Sequence, residues 1–469
     1  MNAISVRLRP LLMPLTGVFT LLALSAQSQQ PATPPTPATS STSSLADILK
    51  SHNAHRLHIL YVHGIGDDGP TDRDSFYLRR GMCETLACDR AHRDGEEIQG
   101  PVFANSGHFA AGSTPPSLTF FDQKIFPADA RGQKMWDASA PFFRRYKPTP
   151  SEGQSVYVDE IDWWPLVFAV KCRYMVAEDA RLIGVDKPKK STPQKPKTSP
   201  ISDCTQPEVP DPSGHYPSYP FISTEEETNL LSLAHQGAHF NREVKSGLMD
   251  WGFTDAVLSL GPMRQLLLEG LQQVIQLAVQ LPADPTLDAS QAQEFVIVTH
   301  SLGSYLIFAA LDSPPQTPSS SAASDFNYVL EHTNRVYFFA NQLRLIEMAN
   351  LDPTGSGLAQ HLTAWVNARK QLSPQELLNE PRAQIVAWND PSDLLTWEVP
   401  SICGIVVENH TVNNSFDWFG IIESPTKAHD YYGLNKKVIH DMLHSEEKPV
   451  EPQPCPNAAS ITAPAATTQ

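Results

Sequence analysis

The sequence has little positive charge and lacks the basic patches of nucleic-acid-binding proteins. Its 35 lysines and arginines are outnumbered by 51 acidic residues, which gives a formal net charge of -16. Because neutralising phosphates requires clustered Lys and Arg, we expect no nucleic-acid partner. The one basic cluster, residues 187–197, is interleaved with Pro, Ser and Thr and is interpreted as a solvated linker.

Signatures of nucleotide and zinc sites are also missing. Gly64 and Gly66 do not have the full spacing of a phosphate-binding loop, and no P-loop lysine follows them. The cysteines form no CxxC pair. Four histidines lie close together, at positions 52, 55, 58 and 63, as they could in a metal site. The alternation of side chains along the start of a strand explains three of them without a metal ion. We therefore expect neither a cofactor nor a metal.

The N-terminus lacks the roughly 20 continuous apolar residues of a transmembrane helix. Residues 1–28 contain Arg7 and Arg9, an apolar run broken by Pro14, and small residues at the end. This pattern is typical of a secretory signal. We expect an exported protein, periplasmic or secreted; an uncleaved N-terminal membrane anchor is the alternative.

Six cysteines in an exported chain are compatible with disulfides and allow fifteen full pairings. We expect Cys83 to pair with Cys88 first. Alternatively, several cysteines are reduced, with Cys403 in an apolar strand as simple core.

Composition predicts one folded domain at residues 50–445. The Pro, Ser and Thr-rich stretch at 29–49 and the tail at 446–469 have too few apolar groups to pack, and we expect both to be disordered. A similar stretch at 186–222 is expected to be a flexible part of a large insertion, about 70–250.

Six short apolar runs alternate with helix-like segments. Continuous apolar character is typical of strands buried on both faces, so an α/β fold with a mostly parallel sheet flanked by helices is predicted. The runs are 57–64, 155–163, 294–301, 335–341, 382–388 and 402–409. The apolar segment 255–281 predicts one buried helix before the third run.

The segment EFVIVTHSLGSYLIFAAL carries the strongest functional signal. A strand leads directly into His300-Ser301-Leu302-Gly303 and then a helical pattern, which is the strand, sharp turn and helix of a nucleophile elbow. This segment resembles the α/β-hydrolase superfamily, particularly its lipase-like and esterase-like members. Thr299 departs from the usual Gly-x-Ser-x-Gly motif. The resemblance implies an α/β-hydrolase fold with Ser301 as the nucleophile.

Two backbone amides are expected to stabilise an oxyanion. The amide of Leu302 lies at the start of the elbow helix, whose positive end favours negative charge. His63-Gly64-Ile65-Gly66 follows the first strand and resembles the oxyanion loop of the superfamily, in which Ile65 has the matching position. An ordinary glycine turn is the alternative.

The acid and the base should follow the serine in the order Ser, Asp or Glu, His. Asp393 is the predicted acid; Asp390 precedes a proline, is suited to starting the turn, and is the alternate. His429 precedes a final helix and is the predicted base, with His410 as the alternate. His440 and His444 are interpreted as surface residues of that helix.

The segment before the elbow is long, since 301 − 63 = 238 positions separate His63 from Ser301. Its aromatic-rich part, 119–148, is interpreted either as a lid or acyl pocket or as plain packing. Trp163 and Trp164 are expected in the core.

Together these features predict an exported serine hydrolase that cleaves carboxylic esters or lipids through an acyl-enzyme intermediate. The expected partner is a small-molecule or lipid ester. Contact with a membrane surface is compatible with this interpretation, and a protein partner is undetermined. The alternatives are a noncatalytic exported binding protein on a hydrolase scaffold and a membrane-tethered lipid acyl hydrolase.

Overall fold

A mixed eight-stranded sheet organises the chain. The structure is a computed structural model and describes residues 45–46, 56–64, 73–86, 88, 95–104, 140–148, 155–172, 253–261, 263–281, 293–313, 320–349, 359–369, 384–402, 405–414 and 425–444. All of these lie in one unit, Ser41–Gln469. The strands are β1 (Arg56–Val62), β2 (Glu96–Phe103), β3 (Phe142–Lys147), β4 (Ser155–Asp162), β5 (Gln293–His300), β6 (Thr333–Phe339), β7 (Gln384–Asn389) and β8 (Val406–Thr411).

The strand order is β2-β3-β4-β1-β5-β6-β7-β8. Strands β4, β1, β5, β6, β7 and β8 are parallel to one another, and β3 pairs antiparallel with both β2 and β4. The six predicted apolar runs are all strands of this sheet, and the expected mostly parallel α/β architecture with flanking helices is confirmed. Strands β2 and β3 extend the sheet from within the segment that the sequence indicated only as an insertion.

Helices flank the sheet. They are α1 (Arg73–Leu86), α2 (Trp164–Lys171), α3 (Thr254–Leu260), α4 (Arg264–Gln280), α5 (Gly303–Asp312), α6 (Ser320–Glu331), α7 (Leu343–Ala349), α8 (Ala359–Arg369), α9 (Pro425–Asp430) and α10 (Lys436–His444). None of the helices in the described ranges is both long and apolar enough to cross a membrane.

The single helix expected at 255–281 is wrong, because α3 and α4 are separate helices. Gly261 between them is extended, with φ −82° and ψ −170°. The next residue in the sequence is Pro262, and a residue before proline is disfavoured in helical conformation. The apolar periodicity continues across this break and hides it.

Two hydrophobic clusters lie on the two faces of the sheet, as alternation along each strand requires. Leu60 and Ile297 belong to the cluster that contains residues of α4, α5 and α8. Ile59 and Val298 belong to the cluster that contains residues of α1 and α10. Strands β1 and β5 are therefore covered on both sides, which accounts for their continuous apolar sequences.

The N-terminal boundary of the folded part requires correction. Leu45 and Ala46 are helical and buried, and Leu45 packs in the cluster of α1 and α10. The folded part therefore begins before residue 50, because Leu45 is apolar and reaches the core. The predicted signal at 1–28, the flexible stretch at 186–222 and the tail at 446–469 lie outside the described residues.

The predicted disulfide between Cys83 and Cys88 is confirmed, and it closes the end of α1. Cys172 is also disulfide-bonded, and no cysteine in the described ranges is free. Cys403 lies outside them. Trp163 and Trp164 are buried, as expected. The aromatic-rich segment 119–148 ends in β3, and its residues before 140 are outside the described ranges.

A buried ion pair joins α2 to α3. The ammonium group of Lys171 contacts the carboxylate of Asp255, and both side chains are fully buried. Burial raises the pKa of Asp255 to about 6 while Lys171 opposes this shift, so the carboxylate is charged at neutral pH. The pair connects two elements that are separated by 255 − 171 = 84 positions in the chain.

We predict that Lys171→Met lowers the free energy of unfolding by about 3–5 kcal/mol, because it leaves a buried carboxylate without its counter-charge. The double variant Lys171→Met/Asp255→Leu should recover most of this loss, since an apolar pair needs no charge compensation. Urea denaturation measures both values.

A surface pair provides the control. Arg80 Nε lies 3.6 Å from Glu84 Oε1, and the two side chains are 41% and 73% exposed. Arg80→Met should therefore lower the free energy of unfolding by at most about 1 kcal/mol. Equal losses for Lys171→Met and Arg80→Met would contradict a structural role for the buried pair.

Candidate active site

The predicted site residues lie at the carboxyl ends of the parallel strands. The chain leaves β1 toward the β4 side of the sheet, whereas it leaves β5 toward the β6 side. A crevice is expected where such connections diverge, and ligands of open α/β sheets bind there. Ser301 follows β5 at this position, next to the end of β1.

Ser301 occupies a strained turn between β5 and α5. Its φ of 53° is in the left-handed region, which costs a residue other than glycine roughly 1–2 kcal/mol. The Ser301 amide donates to the Phe339 carbonyl at 2.8 Å, and its own carbonyl accepts the Ser304 hydroxyl at 2.6 Å. Bonds on both sides of the residue thus hold the strained backbone. The strand, turn and helix expected around Ser301 are present.

Two glycines let the end of β1 contact this turn. A Cβ atom added to Gly303 would lie 2.5 Å from the His63 carbonyl oxygen, and one added to Gly64 would lie 2.6 Å from the Ser301 Cβ. No side chain fits at either distance, since packed carbon atoms approach to about 3.5–4.0 Å. Gly64 and Gly303 are therefore required for residues 63–64 to lie against the Ser301 turn.

The structure brings Ser301, His429 and Asp393 into one chain of hydrogen bonds. The Ser301 hydroxyl donates to His429 Nε2 at 2.8 Å. On the other side of the ring, His429 Nδ1 donates to the Asp393 carboxylate and lies 3.0 Å from each oxygen. All three residues are buried. The three predicted residues thus meet although they come from distant parts of the chain.

The pKa of His429 reflects two opposing effects. Burial lowers it, but the hydrogen bond and the negative charge of Asp393, together with the charge of Asp430, outweigh burial. The pKa is therefore raised above the ordinary histidine value of about 6.5. A ring in this position accepts a proton more readily than a histidine in water.

Asp390, the alternate acid, shapes the loop that carries Asp393. Its carboxylate accepts the backbone amides of Ser392 at 2.9 Å and Asn414 at 2.6 Å. Tyr432 connects the two aspartates, since its oxygen accepts the Asp390 amide at 2.6 Å and its hydroxyl donates to Asp393 at 3.3 Å. The position of Asp393 is thus fixed by its own bond to Tyr432 and by the bonds of Asp390 within the same loop.

His410, the alternate base, lies on β8 and takes no part in this hydrogen-bond chain. The centroids of its ring and the Trp388 ring are 5.6 Å apart, and its Nε2 lies 3.6 Å from the Glu408 carboxylate. His440 and His444 are exposed on α10, as expected. Among the residues described, no group of three or more His, Cys, Asp or Glu side chains is arranged to hold a metal ion.

Two contacts of the site have no signal in the sequence. His300 Nε2 donates to the His429 carbonyl at 2.8 Å, which ties the base to the serine turn. Gln342, which follows β6, donates from Nε2 to the Ser301 hydroxyl oxygen at 2.7 Å. Gln342 belongs to no sequence pattern, and the motif that contains His300 gives no sign of its partner, because both contacts join residues that are far apart in the chain.

The predicted oxyanion donors are only partly described. Leu302 is the N-cap residue of α5, where the first amides of a helix have no intrahelical acceptor. Ile65 lies outside the described residues. The preceding His63 is held at both ends, since its Nε2 donates to Glu160 at 2.8 Å and its carbonyl accepts the Trp163 indole at 2.8 Å.

We predict that Gly303→Ala lowers the free energy of unfolding by about 3 kcal/mol, because the new methyl group overlaps the backbone of His63. Gly100→Ala is the control: its Cβ would meet only the Glu97 side chain at 3.5 Å, so its change should stay below about 1 kcal/mol. Thermal and urea denaturation compare the two. Full stability of Gly303→Ala would refute the close backbone contact.

We also predict that Asp393→Asn lowers the pKa of His429, because burial then acts without its strongest opposing charge. Asp390→Asn should change it much less, since Asp390 bonds to the loop and not to the ring. An NMR titration of the His429 ring measures both variants. A fall of the pKa in Asp390→Asn alone would make Asp390 the partner of the base.

Comparison of the chain with protein-family models, with curated proteins and with solved structures finds no match.

Proposed function

We propose that this chain is an exported serine hydrolase of the α/β-hydrolase type that cleaves carboxylic esters or lipids. The observation that carries the proposal is the hydrogen-bond chain from Ser301 through His429 to Asp393. A serine, a base within hydrogen-bond reach, and an acid that orients the base are the groups that nucleophilic catalysis by serine requires.

The surroundings of Ser301 support the same chemistry. A nucleophile elbow places the hydroxyl above the sheet on a strained strand-to-helix turn, and Ser301 combines its φ of 53° with a position between β5 and α5. The order of the groups along the chain, Ser301, Asp393 and then His429, is that of α/β-hydrolases. These features support an α/β-hydrolase fold within the broader α/β class.

The first step of the proposed reaction is attack by Ser301. Its Oγ forms a bond to the carbonyl carbon of the substrate while the hydroxyl proton moves to His429 Nε2. Asp393 accepts the hydrogen bond from Nδ1, which keeps the other ring nitrogen free to take the proton, and stabilises the resulting positive ring. The electron pair of the carbonyl moves to its oxygen and forms the oxyanion.

The second and third steps return the proton and release the acid. When the tetrahedral intermediate collapses, the bond to the alcohol oxygen breaks, and His429 gives the proton to that leaving group. Water then attacks the acyl group on Ser301 with His429 again as the base, which regenerates the serine hydroxyl.

Backbone amides are the proposed stabilisers of the oxyanion. The Leu302 amide lies at the N-terminal end of α5, where the helix dipole favours negative charge. The second donor is the amide of Ile65, which follows Gly64 in the loop that contacts Ser301. Each such donor contributes on the order of 10²–10³-fold to turnover in enzymes of this kind.

Export is supported by the N-terminal sequence and by cysteine chemistry. The disulfide between Cys83 and Cys88 fits a protein that folds in an oxidising compartment, because thiols are kept reduced in the cytosol. The substrate in this proposal is a neutral ester, which is compatible with the net charge of -16.

The rival proposal, a noncatalytic binding protein, predicts that the serine, the histidine and the acid are too far apart for proton transfer. The distances of 2.8 Å from Ser301 to His429 and 3.0 Å from His429 to Asp393 do not support it. The second rival, a membrane-tethered acyl hydrolase, shares this site and differs only in an uncleaved N-terminus.

Labelling of the purified mature protein with a fluorophosphonate tests the proposal. The Ser301 oxygen should form a bond to phosphorus with loss of fluoride, and the rate should rise with pH through the pKa of His429, because only the neutral ring accepts the proton. Ser301→Ala should abolish labelling, and His429→Ala should lower its rate on the order of 10³-fold or more.

The matched control is His440→Ala, which removes an exposed histidine of α10 and should label like the wild type. Absence of labelling in folded wild-type protein, or equal labelling of Ser301→Ala, would overturn the proposed function.

A further inference from the structure

Gln342 contacts the serine from a second side. Its Nε2 donates to the Ser301 oxygen at 2.7 Å, and its side chain is 1% exposed. It comes from the end of β6, the strand next to β5, and begins the turn into α7. The contact joins two strand ends at the same edge of the sheet.

The backbone before Gln342 is strained in the same way as at Ser301. Ala340 has a φ of 50°, and it and Ser301 are the two residues other than glycine with positive φ among those described. Such strain persists only where surrounding contacts hold it, and it concentrates at functional sites. The Ala340 turn is what directs the chain after β6 back toward Ser301.

Asn341 fixes this turn. Its side-chain amide donates to the Asn389 side chain at 3.0 Å and to the Trp397 carbonyl at 2.7 Å. Both partners flank the loop that carries Asp393. Gln342 is therefore attached to the same framework that positions the acid, and its amide has little freedom to move away from Ser301.

The contact to Ser301 is the one side-chain hydrogen bond of Gln342 within the described residues. Buried polar atoms of a side chain normally have a hydrogen-bond partner. Within the described part of the chain, the buried Oε1 of Gln342 has no hydrogen-bond partner. The hydrogen bond from Nε2 to Ser301 is thus the polar contact that fixes the Gln342 amide.

The direction of the two hydrogen bonds at Ser301 is fixed by chemistry. An amide nitrogen can only donate, so Gln342 occupies a lone pair of the serine oxygen. The hydroxyl hydrogen then points to His429 Nε2, 2.8 Å away. One lone pair is left for attack on a substrate.

We propose that Gln342 is a positioning residue that directs the Ser301 hydroxyl hydrogen toward His429 and its free lone pair toward the substrate carbonyl. The proposal rests on the proposed function, since it assigns a role within the same reaction. The Gln342 amide also stabilises the negative charge that grows on Oγ as the proton leaves for His429. The same bond assists when Oγ becomes the leaving group in deacylation.

Two variants of similar size separate positioning from packing. Gln342→Met removes the donor and keeps the length of the side chain; we expect the fluorophosphonate labelling rate to fall about tenfold, as for the loss of one hydrogen bond. Gln342→Glu places an ionised acceptor at the same point, so the hydroxyl hydrogen turns away from His429. Its rate should fall on the order of a hundredfold or more.

The pH profile gives a second readout. The wild-type rate should rise with pH to a plateau, whereas Gln342→Glu should pass through a maximum, because this variant needs both a neutral His429 and a protonated carboxyl group at position 342 that can still donate. Gln272→Glu is the matched control: Gln272 is a buried amide that donates to the Ala310 and Ser313 carbonyls, away from Ser301. Its labelling rate per folded molecule should equal that of the wild type.

The outcomes are distinct. A labelled wild type, with Gln342→Glu far slower than Gln342→Met and a bell-shaped profile for Gln342→Glu, supports the role of Gln342. A labelled wild type with equal rates for the two variants, or with profiles of the same shape, overturns it and leaves the proposed function standing. No labelling of folded wild type overturns both.

Discussion

The contact between the end of β1 and the turn after β5 is the constraint on which the site depends. Gly64 and Gly303 lie against backbone and Cβ atoms at distances that exclude a side chain. This contact fixes the Ser301 turn against a neighbouring parallel strand, and the hydrogen bond from the Ser301 amide to Phe339 fixes it against the other. The turn is therefore held by contacts with the strands on both sides of β5, namely β1 and β6. These contacts allow Ser301 to keep its strained φ.

The other groups of the site are held by the loops that follow β6 and β7, and these loops hold each other. Asn341 links the turn after β6 to the loop of the acid, and Tyr432 links that loop to the segment of the base. Since each loop forms hydrogen bonds with the next, a displacement of one loop also displaces the others. The precision that catalysis needs thus comes from shared hydrogen bonds between loops and not from any single element.

Much of the sheet was predictable because buried parallel strands have continuous apolar sequences. All six such runs are strands, and the segment around Ser301 has the expected strand, turn and helix. Strands β2 and β3 were missed for physical reasons: β2 is largely polar and contains Gly and Pro, and β3 contains Arg144 and Arg145 in its interior. The buried guanidinium of Arg145 is compensated by Asp159 of β4, 2.5 Å away, and by the carbonyls of Ala278 and Leu281, and no local pattern reveals these partners. The contacts of Gln342 and His300 were missed because their partners, Ser301 and His429, are far from them in the sequence.

The buried pair of Lys171 and Asp255 has a consequence for how this chain can vary. The pair brings the end of α2 and the start of α3 into direct contact, although they are far apart in the chain. The entropic cost of closing a loop grows only slowly with its length. The positions of these two helix ends are therefore set by a direct contact between them, and the entropic cost of the chain that joins them depends only weakly on its length.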